Sequence, residues 1–129
     1  RTQGFISAFD GTDYNILEVQ YGNSEVAASQ AAAENFISQG VVGLYGDNEP
    51  GAVGVGNAVA ANADWDGVAV GFDATSTALD LVDSGALYCG MGDGAVRAAY
   101  TLATGGTLEE TQVDTGATVV TAENSADFR

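Results

Sequence analysis

Short apolar runs rich in β-branched residues alternate along this chain with segments of helical period, and nearly every switch is marked by Gly or Asn. No other feature constrains the fold as strongly, because a strand–helix–strand repeat is satisfied by parallel strands joined through crossover helices. The runs are Ile16 to Tyr21, Val41 to Tyr45, Gly67 to Phe72, Ala86 to Met91 and a last one at Ala117 to Thr121. The first four lie between helical segments, as strands covered on both faces do. The expected fold is therefore a three-layer α/β sheet, mostly parallel, with helices on both faces. At 129 residues the chain allows a single domain, 1 to 129, and one of this size buries enough surface to fold without disulfide staples.

Helix punctuation agrees with this pattern. Helices are predicted at Thr2 to Phe9, at Glu25 to Gln39 before Gly40, and from Pro50 near the first position to Asn62. A fourth has Thr75, Ser76 or Thr77 as N-cap and stops at Gly85, and a fifth spans Ala95 to Ala103. The third carries Gly51, Gly54 and Gly56, each costing about 1 kcal/mol relative to Ala in a helix interior. Close packing on the sheet is the expected compensation.

Charge narrows the partners. Three Lys+Arg against 18 Asp+Glu give a net charge of -15, which argues against a phosphate backbone or an anionic membrane as partner. Nucleic acid is therefore excluded as an expected partner. No apolar run reaches the roughly 18 residues of a membrane span, and Arg1-Thr2-Gln3 does not read as a secretory signal. The single Cys89 forms no internal bridge, so it says nothing about compartment. The acidic residues fall mainly on expected solvent faces and turns, with no basic partners beside them. Such a chain should tolerate high salt and lose stability at low salt.

In an open parallel sheet, ligands bind beyond the carboxyl ends of the strands. Here those ends read Gly22-Asn23-Ser24, Gly46-Asp47-Asn48-Glu49, Asp73-Ala74-Thr75 and Gly92-Asp93. Amides, hydroxyls and carboxylates with almost no cations suit a neutral polyhydroxylated ligand. Asn23, Ser24 and Thr75 read equally well as helix caps, whereas Asp73 ends a buried strand.

Catalytic inventories are poor. With no His and no Lys, a serine or Schiff-base nucleophile has no visible helper. Asp47 and Asp73 end neighbouring strands, yet nothing supplies the raised pKa that an acid role needs, so the expectation is binding and no enzyme. Gly90-Met91-Gly92-Asp93-Gly94-Ala95 has dinucleotide-site spacing without the acid that should end the next strand. The reading is a tight turn and no cofactor. Asn62, Asp64, Asp66 and Gly67 with Asp73 copy the spacing of a calcium loop, but a strand follows where an exit helix belongs, so a solvated turn and no metal is expected. Trp65 falls in that turn, away from the ligand edge, as a core lid or lobe contact.

Four separated blocks then carry a resemblance. Arg1-Thr2-Gln3-Gly4-Phe5, Asn48-Glu49-Pro50 before Ala52-Val53-Gly54, Val70-Gly71-Phe72-Asp73, and Asp83-Ser84-Gly85 are in register over about residues 1 to 122. Together they resemble the type 1 periplasmic sugar-binding proteins of ABC importers, the ribose-binding-like family. Val113 to Thr121 looks like that family's closing segment.

The resemblance implies the C-terminal half of a two-lobed protein that closes on a sugar, periplasmic or extracellular, handing its ligand to a membrane permease. Its partners would be the small-molecule sugar, that permease and the N-terminal lobe. Even this lobe looks incomplete against the family, in which a strand precedes the helix that Arg1 opens. Carried over by position, Arg1 matches an arginine that donates to the sugar, Asn48 an asparagine contact, and Asp73 an aspartate accepting from two hydroxyls. Asp93 falls where the family often has Gln or Asn, and Ser24 near a position that carries an aromatic contact. The sequence departs from the family at a short connection between Asp93 and Ala95 and at Gln39-Gly40-Val41, which lacks the usual Pro-Asp turn. The same fold also serves as the effector domain of sugar-responsive transcription repressors, and an isolated half-lobe would bind nothing measurable; both readings stay open on sequence grounds.

Overall fold

The computed structural model describes residues 1–88, 90–93 and 117–129. In chain order these form α1 (Thr2–Ser7), α2 (Val26–Ser38), β1 (Gly43–Gly46), α3 (Glu49–Ala61), β2 (Val68–Gly71), α4 (Ser76–Asp83), β3 (Gly90–Asp93) and β4 (Ala117–Val120), with a short 3-10 turn at Ser125–Phe128. The predicted helix Ala95 to Ala103 lies outside the described residues, as does Cys89.

β1 and β2 pair in parallel, Gly43 opposite Val68 and Gly46 opposite Gly71. Period-two alternation sends Leu44, Gly46, Ala69 and Gly71 to one face, where all four are buried. α3 covers that face so closely that a Cβ on Gly71 would sit 2.6 Å from the Cβ of Ala52. The opposite face, with Tyr45 and Val70, receives α1: the Phe5 ring stacks on Tyr45 at 4.3 Å. Helices thus occupy both faces of a parallel pair, the α/β class expected. The core gathers Ala33, Leu44, Ala52, Val55, Ala58, Ala69, Val82 and Leu87.

The glycines of α3 are explained differently from the expectation. A Cβ at Gly54 would meet Ser29 and Gln30 of α2 at 2.6 and 2.7 Å, and one at Gly56 would meet the Leu81 side chain of α4 at 2.6 Å. Residues two apart on a helix point in nearly opposite directions. Gly54 and Gly56 therefore let α3 seat neighbouring helices on its two flanks; only Gly51, 3.4 Å from the Gly46 Cα by the same construction, approaches the sheet.

Three other expectations need correction. Ile16 to Tyr21 joins no ladder among the described residues; only Ile16 and Val19 become half-buried, so docking this segment gains little apolar burial. Ala86 to Met91 meets a strand only at its end among the described residues: Leu87 turns into the core, Tyr88 donates to the Ala69 carbonyl at 2.7 Å, and β3 spans Gly90–Asp93. β3 then pairs antiparallel with β4, Gly90 opposite Val120, so the second described ladder is not part of the parallel set. α1 stops at Ser7 rather than Phe9, its last turn loosening into the Gly11 bend.

The acidic surface is also less bare than its sequence implies. Arg129 donates to Asp80 at 2.9 Å and to Asp83 at 2.6 Å, and the Ser125 hydroxyl donates to the other Asp83 oxygen. These contacts pin the chain end onto α4, and they hold the Asp83 carboxyl below the usual carboxylate range, the Ser125 bond first and Arg129 second.

Candidate functional site

The carboxyl ends of β1 and β2 feed two helix starts placed side by side. Asn48 caps α3, its Oδ1 accepting from the Gly51 N–H at 2.8 Å, with Pro50 in the first turn. Such a bond satisfies one of the N–H groups that a helix leaves unpaired. Asp73 satisfies another from outside the helix, its Oδ2 accepting from the Glu49 N–H at 2.9 Å. Thr75 resolves as a cap, accepting at 3.4 Å from the Ala78 N–H.

Asp73 reaches α3 because its backbone turns left-handed, with φ 72. The described non-glycine residues with positive φ are Asn23, Ser24 and Asp73, and all three lie at this rim. Glu25 donates to the Gly22 carbonyl at 2.9 Å, closing a tight turn whose central residues are Asn23 and Ser24. Left-handed backbone at residues with a Cβ costs on the order of 1 kcal/mol or more each and persists where the surroundings hold it.

Side-chain contacts link these ends into one edge. The Asn48 amide donates to the Ser24 hydroxyl at 3.5 Å, and Arg1 lies 3.6 Å from the second Asp73 oxygen. Arg1 also donates to the Asp47 carbonyl at 3.3 Å and sits over the Phe72 ring, 3.9 Å from its centroid. The Thr2 hydroxyl donates to the Asp47 carboxylate at 2.7 Å. Beneath the rim, burial pushes the Tyr45 phenol above its ordinary range, helped by the Asp47 and Asp73 charges and opposed by Arg1.

Of the five residues singled out by sequence, Arg1, Ser24, Asn48 and Asp73 share this edge. Asp93 closes β3, and its side chain lies outside the described residues. Sequence reading missed Phe72 as a partner of Arg1 and Asp47 as an anchor for α1. Phe72 directly precedes Asp73, but only the paired register shows which face its ring takes.

No group of three or more His, Cys, Asp or Glu among the described residues could hold a metal ion. Asp64 and Asp66 lie before β2 and Asp73 after it, and the Trp65 N–H donates to the Asn62 carbonyl at 2.9 Å as part of a turn. Gly90 to Asp93 forms β3, while the rest of the dinucleotide-like spacing lies outside the described residues.

The described residues thus form a parallel α/β unit with a polar rim at its strand ends. The profile of the periplasmic binding protein domain matches residues 1–107, and the chain belongs to that family. No curated protein matches it. Among solved structures, it is similar to an ABC transporter solute-binding protein from Agrobacterium vitis with bound D-fucose, at 26% identity and TM-score 0.80, covering 96% of this chain and 46% of that one. An arabinose-binding protein from Geobacillus stearothermophilus aligns at 26% identity and TM-score 0.79, covering 99% and 51%. A sugar-binding protein of a sugar ABC transporter from Bacillus halodurans shares the fold at 24% identity and TM-score 0.79, covering 99% and 51%. The chain spans about half the length of these proteins. Family and fold are those of solute-binding proteins rather than enzymes.

Proposed function

We propose that this chain is the C-terminal lobe of a sugar-binding protein and that its rim holds a neutral sugar against a second, N-terminal lobe. The observation that carries this reading is the juxtaposition of Arg1 and Asp73, 3.6 Å apart on the same edge as Asn48. Asp73 accepts from sugar hydroxyls, Arg1 and Asn48 donate, and Ser24 and Asp93 contribute at the margins. The rim binds and does no chemistry on the sugar. The match to about half the length of sugar-binding neighbours, and the D-fucose and arabinose named for them, support this assignment.

The mechanism is closure. Contacts available only when both lobes meet the ligand shift an open population to a closed one. The closed form then delivers its sugar to the membrane permease of an ABC importer, outside the cytoplasmic membrane. A lobe alone lacks half of those contacts and binds weakly.

Titration calorimetry of the full-length protein against a panel of pentoses and hexoses tests the reading. A charged acceptor to a hydroxyl is worth about 1.5–3 kcal/mol, so Asp73→Ala should weaken binding by about 10- to 100-fold. Equal heats from the mutant and the unaltered protein would refute the role of Asp73.

A further inference from the structure

We propose that Ile16 to Tyr21 is an edge strand poised to zip onto β1 as a third parallel strand, and that a sugar bound at the rim closes it. This rests on the reading of the rim as a sugar site and names a movement that the ligand would drive.

Topology places the segment. α2 and α3 cover the same face, since Ala33 of α2 shares the core with Leu44 and Ala52, and Gly54 of α3 lies against Ser29. Crossovers between parallel strands are right-handed, so a strand before α2 belongs on the edge of β1 that β2 leaves free. That edge is open. The Val42 and Gly46 carbonyls accept from Val68 and Phe72 at 3.0 and 2.9 Å, so alternation turns the N–H and C=O groups of Gly43 and Tyr45 the other way. These find no backbone partner among the described residues, and neither do those of residues 16–21.

Glycines set the register. Gly46 pairs with Gly71, and a Cβ on either would run into Ala52 of α3, just as one on Gly22 would run into Ser29 of α2. Gly22 thus faces the helices as the other two do, which aligns Gly22 with Gly46, Tyr21 with Tyr45 and Val19 with Gly43. Leu17, Val19 and Tyr21 then join Tyr45 on the α1 side, where Phe5, Phe9 and Tyr14 meet ring to ring, while Glu18 and Gln20 take the α2 side. Leu17 is 38% and Tyr21 80% exposed, so zipping covers apolar surface as well as the edge. Within β1 only Gly43 and Tyr45 face outward, so the bonds gained are few, the open and zipped forms lie close in free energy, and a ligand can tip them.

The lever is the turn after the segment. Asn23 and Ser24 are held left-handed, at φ 51 and 60, and the Asn48 amide reaches the Ser24 hydroxyl at a long 3.5 Å. A sugar hydroxyl shared by Asn48 and Ser24 draws this turn toward α3. The Gly22 N–H, which the turn does not use, is thereby carried toward the Tyr45 carbonyl.

This register has a signature. Gln20 and Gly22 donate to the Gly43 and Tyr45 carbonyls, whereas the Val19 and Tyr21 N–H groups point to solvent. Amide hydrogen exchange of the full-length protein, with and without a saturating pentose or hexose that it binds, should show Gln20 and Gly22 slowed about tenfold or more and Val19 and Tyr21 changed by less than about twofold. Gln20→Pro, which removes a ladder donor, should weaken sugar binding about tenfold, and Val19→Pro, whose lost N–H faces water, by less than about threefold. Sugar binding without the alternating protection, or protection already complete in the free protein, would overturn the proposal and leave the sugar reading standing, whether or not Gln20→Pro folds. No heat with any sugar of the panel would overturn the sugar reading and this coupling with it.

Discussion

The two ends of the β1–β2 pair are built from the same two strands, yet they solve opposite problems. At the carboxyl end, Asp47, Asn48 and Asp73 use side-chain oxygens to complete backbone and side-chain donors, on a backbone that turns left-handed at Asp73. At the amino end, the Trp65 indole donates to the Val41 carbonyl at 2.8 Å and lies over Gly67, where a Cβ would come within 2.6 Å of its ring. An apolar groove of about 420 Å³ opens there between Trp65, Val68, Leu87 and Tyr88, while the polar groups converge at the other end. One end gains stability from burial; the other spends some on geometry. Among the described residues this apolar groove and the polar chemistry are therefore separate, and chemistry is the better guide to a sugar site, because a hydroxylated ligand needs matched polar partners.

That contrast is broken most severely at the amino end. Trp65 packs against the core and carries one hydrogen bond, so Trp65→Ala should lower the unfolding free energy by about 3 kcal/mol in urea denaturation. Trp65→Phe, which keeps most of the apolar contact, should cost about 1 kcal/mol. Sugar affinity of the folded fraction should change little in either case, since neither substitution reaches the rim. A large loss of affinity in Trp65→Phe would show that the two ends are coupled.

The reverse dissociation is expected at Asp73. Asp73→Gly relieves a left-handed residue, a gain of about 1 kcal/mol, and removes the acceptor for Glu49, a loss of similar size. Stability should therefore move by less than about 1 kcal/mol while affinity falls about tenfold or more. A marked stabilisation with unchanged binding would mean that the left-handed turn serves the α3 cap alone.

What could be read in the sequence divides along the same line. Features specified by neighbouring residues were legible: the Asn48–Glu49–Pro50 start of α3, the opening of α4 within Thr75 to Thr77, the Gly85 stop, and a polar residue after each strand. Features that depend on pairing across the chain were not. Arg129 finds Asp83 from 46 residues away, and Gly54 and Gly56 serve two different helices that no local pattern distinguishes. Ile16 to Tyr21 has the composition of a strand, but composition does not report how much of it a neighbour will bury. The rim was legible as a set of residues because topology puts strand ends together; its wiring, with Phe72 beneath Arg1 and Asp73 on the Glu49 N–H, was not.

The smallest expected effect probes how the rim's surplus acid is felt underneath it. Tyr45 lies on the α1 face, where burial first and the Asp47 charge second favour its neutral phenol in the folded protein. A group that holds its proton more firmly when folded stabilises the fold fully below its unfolded pKa, about 10 for tyrosine, and that contribution is lost as pH rises through the folded value. Stability measured from pH 9 upward should fall less steeply in Tyr45→Phe than in the unaltered chain, the difference between the two curves appearing only above about pH 10. Asp47→Asn should bring the Tyr45 titration, followed by NMR, back toward the ordinary range without restoring it, because burial remains. A Tyr45 that titrates identically in Asp47→Asn would place the rim's charge in solvent, screened from the sheet. The two ends would then differ in hydrogen bonding alone and not in the field that the sheet experiences.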